Sequence, residues 1–320
     1  MKVLVTGGAG FIGSHLAERL VSLGHAVRVL DNFATGRRSN LSGFRDGIEL
    51  IEGDIQSYER AHKAVRGCEI VFHQAALPSV PRSIQDPLTS NATNVIGTLN
   101  VLLAARDEGV RRVVYASSSS AYGRNPVLPK HEELAAEPIS PYATAKLAAE
   151  GYCRSFNAVY GLQTVALRYF NVFGPRQDPL SEYAAVIPRF ITSLAAGESP
   201  VIFGDGEQSR DFTYVDNVID ANIQAMDAPD VGGRTINIAC GERVSLNQLV
   251  AELQRLLNTQ VEVAYAAPRS GDVKHSLADI SLARRLLGYE SRVSLTEGLR
   301  NTIKSLVSNR SESTATGLPR

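Results

Sequence analysis

The chain has 320 residues, 44% of them hydrophobic, enough apolar material for one large core or two unequal lobes. Lys plus Arg and Asp plus Glu balance at 33 each, so nothing argues for a nucleic-acid or membrane surface, and an anionic ligand has to be held by a local cluster. No run approaches the roughly 20 apolar residues of a membrane helix, no signal peptide precedes the first strand-like segment, and the well-separated Cys68, Cys153 and Cys240 fit reduced thiols in a cytoplasmic protein, without metal-ligand spacing.

Residues 2–5 form a short apolar run of the kind found in buried parallel strands. Thr6-Gly7-Gly8-Ala9-Gly10-Phe11-Ile12-Gly13 follows, and residues 14–23 read as a helix. Strand, glycine turn and helix make a dinucleotide-binding fingerprint. Gly7 permits the tight turn, Gly10 lets the backbone approach a pyrophosphate drawn to the helix N-terminus, and Gly13 allows close helix–strand packing. The next strand, 26–30, ends in Asp31-Asn32, about twenty residues past the glycines, where an acid bonds ribose hydroxyls. That carboxylate repels a 2′-phosphate and favours NAD over NADP, with Arg37 and Arg38 pulling the other way.

The βα alternation continues. Strand 48–51 leads to Gly53-Asp54-Ile55, and strand 70–73 ends in His73-Gln74-Ala75-Ala76, whose small residues leave room for a cofactor across the strand edge. His73 reads as a packed structural histidine. Asp86-Pro87 opens a long helix to about Ala105, which contains Asn91, Asn94 and Gly97, and strand 112–116 delivers Ser117-Ser118-Ser119-Ser120-Ala121-Tyr122-Gly123. Ser140-Pro141 has the form of an N-cap and first helical residue, which puts Tyr142 and Lys146 one turn apart on one face of a helix to residue 160. A lysine ammonium beside a phenol favours phenolate, so the tyrosine pKa is expected below its usual value, poised to move a proton at a sugar hydroxyl. After strand 164–169 and Phe170-Asn171 the character changes, with helices 187–196, 216–226, 244–257 and 295–306 and a short strand at 200–203.

The fold expected is α/β, a doubly wound parallel Rossmann sheet with a smaller C-terminal α/β substrate lobe and a ligand cleft between them. Residues 1–171, with 214–240 returning to them, form the NAD-binding part, 172–307 the substrate-binding lobe, and 308–320 a frayed tail.

The glycine loop, the serine run, Tyr142 with Lys146, Arg168-Tyr169-Phe170-Asn171-Val172-Phe173-Gly174-Pro175, Arg210-Asp211-Phe212 and Arg269-Ser270-Gly271-Asp272 together resemble extended short-chain dehydrogenase/reductases, specifically nucleotide-sugar epimerases of the UDP-galactose/UDP-N-acetylglucosamine 4-epimerase type. The resemblance spans residues 1 to about 306. It implies that Gly7, Gly10, Phe11, Ile12, Asp31, Asn32, Asp54, Ile55, Ala75, Asn94, Tyr142, Lys146 and Tyr169 line tightly held NAD. It also implies that Tyr142 takes the proton from the sugar 4-hydroxyl, that Ser118 assists at that oxygen, and that Lys146 holds the ribose and tunes Tyr142. Asn171, Arg210 and Arg269 would bind the diphosphate of a UDP-sugar, Asp272 its ribose, and Val201 and Phe203 its uracil. A homodimer through helices 87–106 and 142–160 is implied as well.

Two discriminators, the serine run and Ser276, choose among the reactions of the family. Its 4,6-dehydratases carry Thr-Asp-Glu where this chain has Ser118, Ser119 and Ser120, and its decarboxylases keep a glutamate at the place of Ser120. Hydroxyls cannot do the work of that acid and base, which leaves oxidation and reduction at C4. A tyrosine that closes the sugar pocket in members restricted to non-acetylated sugars is replaced here by Ser276. The expected reaction is therefore UDP-GlcNAc/UDP-GalNAc interconversion, with activity on the plain sugars or uronates permitted. A nonstandard dehydratase, a reductase releasing its nicotinamide and a catalytically silent NAD-binding regulator are the alternatives.

Overall fold

The computed structural model describes residues 1–179, 185–268 and 274–315, with side chains as far as Val307. The chain runs through β1 (Lys2–Thr6), α1 (Phe11–Ser22), β2 (Ala26–Asp31), β3 (Ile48–Glu52), α2 (Tyr58–Val65), β4 (Ile70–His73), the short helices α3 (Val80–Gln85) and α4 (Pro87–Asn91), α5 (Thr98–Asp107), β5 (Arg112–Ser118), α6 (Pro141–Tyr160) and β6 (Gln163–Tyr169). It then leaves through β7 (Val172–Phe173), α7 (Val186–Ala195), β8 (Val201–Phe203), β9 (Ser209–Arg210) and β10 (Thr213–Tyr214). Helix α8 (Val215–Asp227) and β11 (Arg234–Ile238) bring it back to the sheet. Strand β12 (Val244–Ser245), α9 (Leu246–Leu257), β13 (Ala264–Ala266), α10 (Ser281–Leu287) and α11 (Leu295–Ala315) follow.

Seven strands form one parallel sheet in the order β11-β6-β5-β4-β1-β2-β3. The order reverses between β1 and β4, so the carboxyl ends of these two strands flank the crevice where a doubly wound sheet binds its ligand. Alternation along the strands explains why both faces are covered. Val3, Val5 and Val114 enter one apolar layer, and Leu4, Val71 and Val113 enter the other.

The helix expected from Asp86 to about Ala105 is interrupted. Asp86 caps it, accepting from Thr89 N at 3.0 Å, but residues Ala92–Gly97 form a π-helical turn. A Cβ on Gly97 would lie 2.6 Å from Ile55 Cδ1, so the turn presses against the strand-end loop that carries Ile55. The final helix continues to Ala315, past Ser308 where the sequence put the start of a frayed tail. Among the described residues no helix is long and apolar enough to cross a membrane. All three cysteines are free, Cys68 and Cys153 buried and Cys240 half-buried.

Candidate active site

A cleft of about 400 Å³ opens at the carboxyl edge of the sheet. Gly7, Gly10, Phe11 and Ile12 form its floor, Asp31, Asn32, Asp54 and Ile55 one end, and Ala75, Tyr142, Lys146 and Tyr169 the other. The glycine loop has the shape a dinucleotide needs. Gly7 is left-handed at φ 67°, and a Cβ there would stand 2.7 Å from Ala75 Cα. A Cβ on Gly13 would stand 2.1 Å from Gly7 O, whereas the sole heavy atom near one on Gly10 is Gly7 O at 3.2 Å. Helix α1 has no side-chain cap and no acidic residue in its first turn, so its free N–H groups face the cleft as an anion site. Gly13→Ala is therefore expected to yield protein that purifies without stoichiometric NAD. Nucleotide released by acid would be quantified, and wild-type occupancy would show that the loop has slack.

Asp31 is buried, with Oδ2 accepting from Ala9 N and Oδ1 from Phe33 N, both at 2.8 Å. It braces the glycine loop and keeps acceptor capacity on each oxygen for ribose hydroxyls. Burial raises its pKa, with the two backbone donors acting against the rise. Arg37 and Arg38 are both engaged, Arg37 with Asp178, and Arg38 with Glu52 while lying 4.1 Å from the Phe33 ring centroid. Asn32 donates to Asp54 Oδ2 at 2.8 Å.

Asn94 departs from expectation. It is 1% exposed and does not line the cleft; its amide accepts from Leu77 N at 2.8 Å and donates to Leu77 O at 3.0 Å. The π turn that carries it aims the side chain inward, so Asn94 shapes the Ala75–Leu77 wall from behind.

The catalytic candidates converge where β5 ends. Ser140 caps α6, accepting from Ala143 N at 3.2 Å, with Pro141 in the first turn. This sets Tyr142 and Lys146 against the end of β5. Ser118 Oγ accepts from Ser120 N at 3.2 Å and from Ser120 Oγ at 2.9 Å, which leaves its own hydrogen to donate elsewhere. Ser119 and Ser120 are half-buried hydroxyls. Lys146 is 3% exposed; its Nζ donates to Ala116 O at 2.8 Å and lies 5.0 Å from the Tyr115 ring centroid and 5.9 Å from that of Tyr142.

The expected lowering of the Tyr142 pKa is corrected. Burial pushes the phenol up, and the Ser118 hydroxyl beside it only partly opposes this. Desolvation brings Lys146 down to about 8, against the pull of Glu150. The lysine ammonium is directed to a backbone carbonyl rather than to the phenol, so proximity on the helix did not translate into phenolate stabilisation.

A second cavity of about 280 Å³ is lined by Asn171, Val201, Phe203 and Arg210, which the sequence singled out, and by Val186, Arg189, Phe190 and Gln208, which it did not. Arg269 and Asp272 lie outside the described residues. Ser276 is half-buried, its N donating to Ser209 O at 3.0 Å, next to Arg210 but not on the cavity wall. No Asp or Glu is among the described residues lining this cavity. Arg210 is set by its neighbour Asp211, which is fully buried and accepts from Cys240 N, Gly241 N and Ala278 N at 2.9, 3.0 and 3.2 Å. Gln74, also missed, lines the cleft and donates to Tyr169 Oη at 3.1 Å. His73 sits between Thr6 Oγ1 at 2.7 Å and Thr98 Oγ1 at 2.9 Å, and burial lowers it to about 3, so it is a neutral structural residue, as read.

Residues 3–239 match the NAD dependent epimerase/dehydratase family, and the chain belongs to it. It is 39% identical to the UDP-glucose 4-epimerase of Mycolicibacterium smegmatis, over 95% of this chain and 98% of that protein. Among solved structures it is similar to a UDP-N-acetylglucosamine 4-epimerase from Methanobrevibacter ruminantium in complex with UDP-N-acetylmuramic acid, with TM-score 0.92, 42% identity, and 96% and 98% of the two chains covered. The UDP-glucose 4-epimerase of Thermus thermophilus in complex with NAD gives TM-score 0.88 at 36% identity, covering 96% of this chain and 99% of that one. Decarboxylases and dehydratases are also among its relatives. The cofactor is NAD, and the glycine loop, the uncapped helix and Asp31 have the features it requires.

Proposed function

We propose that this NAD-dependent nucleotide-sugar 4-epimerase interconverts UDP-GlcNAc and UDP-GalNAc, and accepts UDP-Glc and UDP-Gal, through a 4-keto sugar. Bound NAD supplies a reversible two-electron acceptor at C4 of the sugar. Tyr142 removes the proton of the 4-hydroxyl and returns it, Ser118 donates a hydrogen bond to the same oxygen, and Lys146, with N–H groups beyond that given to Ala116 O, orients the cofactor ribose. Asn171 and Arg210, with Arg269, hold the diphosphate, Asp272 the uridine ribose, and Val201 and Phe203 the base. Residues beyond Asn171 act as the nucleotide-sugar lobe.

The observation that carries this reading is that hydroxyls stand where elimination would need a carboxylate. Ser118, Ser119 and Ser120 follow β5 directly after Ser117, which lines the cleft, with the Ser118 hydroxyl beside the Tyr142 phenol, and the described lining of the adjoining cavity holds no acid. Proton NMR of UDP-GlcNAc and UDP-Glc incubated separately with the enzyme, without added reductant, tests it. The C4 epimer is the expected product, and an olefinic signal would instead assign dehydration. For the acetyl preference, Ser276→Tyr is expected to depress turnover of UDP-GlcNAc relative to UDP-Glc about tenfold or more, the scale of a steric discrimination. An unchanged ratio would remove Ser276 from the account.

The protein is read as a cytoplasmic homodimer. Leu88, Ile96, Val159 and Tyr160, on α4 to α6 and the turn between them, are 82%, 46%, 71% and 51% exposed, apolar side chains available to a second copy on these helices. Sedimentation of the purified chain would show one protomer or two.

A further inference from the structure

Two buried cations stand near one buried carboxylate beneath the catalytic residues. Glu150 follows Lys146 by four residues on α6, hence on the same helix face. It is 2% exposed and receives Arg168 from β6 in a fork, Nε to Oε1 at 2.8 Å and Nη2 to Oε2 at 2.6 Å. Ser117 Oγ also donates to Oε1. Arg168 is itself 4% exposed and lies 4.5 Å from the Tyr122 ring centroid, at the far end of the serine run. Residues on both sides of Ser118, Ser119 and Ser120 are thus fixed to this ion pair, Ser117 on Glu150 and Tyr122, one residue beyond Ala121, under Arg168.

We infer that Glu150, clamped by Arg168, is a positioning residue for the catalytic group: it ties the serine run to helix α6, and its charge sustains Lys146 as an ammonium ion. The inference rests on the catalytic reading of Tyr142 and Lys146. Arg168 occupies both carboxylate oxygens, so Glu150 acts on Lys146 through space, and Lys146 keeps Ala116 O as its hydrogen-bond acceptor. The other titratable or charged groups facing Lys146 are Tyr142 and Cys153 on its own helix, Tyr115 on β5, His73 on β4, which is neutral, and Tyr169 on β6. Burial holds Cys153 far above its usual range and raises Tyr115 and Tyr169, so none of these carries negative charge near pH 7. Glu150 is the anion that offsets the two cations, and without it Lys146 gives up its proton more readily.

The two members of the pair are expected to act in opposite directions, which a merely structural role would not produce. In the NAD-loaded enzyme, E150Q keeps the shape and one acceptor oxygen but turns the other into a donor and removes the negative charge, and should move the Lys146 ionisation down by roughly one pH unit. R168Q removes the competing cation and should move it up. The titration is read from ¹⁵N-lysine NMR, assigned by difference with Lys146→Met, alongside the pH profile of kcat on UDP-Glc and UDP-GlcNAc. Opposite shifts in folded protein establish the role; coincident titrations, or shifts in one direction, overturn it. If one variant fails to fold, the other decides alone by the sign of its shift. E150D, which keeps the charge, should then retain the wild-type titration while lowering kcat through a displaced Ser118. A wild-type enzyme inactive on both sugars would overturn the epimerase reading while leaving the NMR result to judge Glu150.

Discussion

Tyr142→Phe is expected to lower kcat about 10²–10⁴-fold, the usual contribution of a positioned proton-transfer group, with little change in KM. The substitution removes one oxygen from a half-buried ring whose backbone stays anchored, since Tyr142 N donates to Ser83 Oγ at 3.1 Å and Ser140 caps the helix. NAD occupancy should therefore persist, and single-turnover reduction of the bound cofactor by substrate would report the chemical step directly. The sign of the pH dependence follows from the raised Tyr142 pKa. At neutral pH the phenol holds its proton, so kcat should climb with pH as that proton leaves, and the limb should vanish in the phenylalanine variant. A variant within a few-fold of wild type would transfer the proton step to another group.

Glu150→Ala is the largest stability effect expected. Removing one partner of a buried ion pair leaves the other uncompensated, which typically destabilises by about 3–5 kcal/mol. Here the survivor would be Arg168, 4% exposed with Tyr122 across its face, and Ser117 would lose its acceptor as well. Urea denaturation of the NAD-loaded protein measures the difference. A loss below about 1 kcal/mol would mean that solvent reaches the cavity and hydrates the arginine.

Most of the cofactor cleft was legible in the sequence because its signals are local. A strand followed by a glycine turn can be read from a single short stretch, and so can the Ser140-Pro141 cap that sets the phase of Tyr142 and Lys146. What stayed hidden depends on packing between distant segments. The Tyr142 pKa moved opposite to expectation because burial outweighs a lysine that is turned to Ala116 O. Asn94 was placed on the cleft by resemblance, but the π turn, fitted against Ile55 through Gly97, rotates it inward. The short helix Val80–Gln85 has too few residues to show a period, and its cap, Ser79, sits at φ 97°. Asp211 gathers donors from residues 29, 30 and 67 positions away, a constellation no linear motif encodes.

The return of α8 and β11 to the sheet means that the first half of the chain does not close the sheet alone. Strand β11 covers the outer edge of β6, pairing Arg234 to Ile238 with Val165 to Tyr169, although it follows strands β7 to β10 in the chain. A chain cut after Asn171 would therefore leave β6 without that neighbour, as an open, aggregation-prone edge.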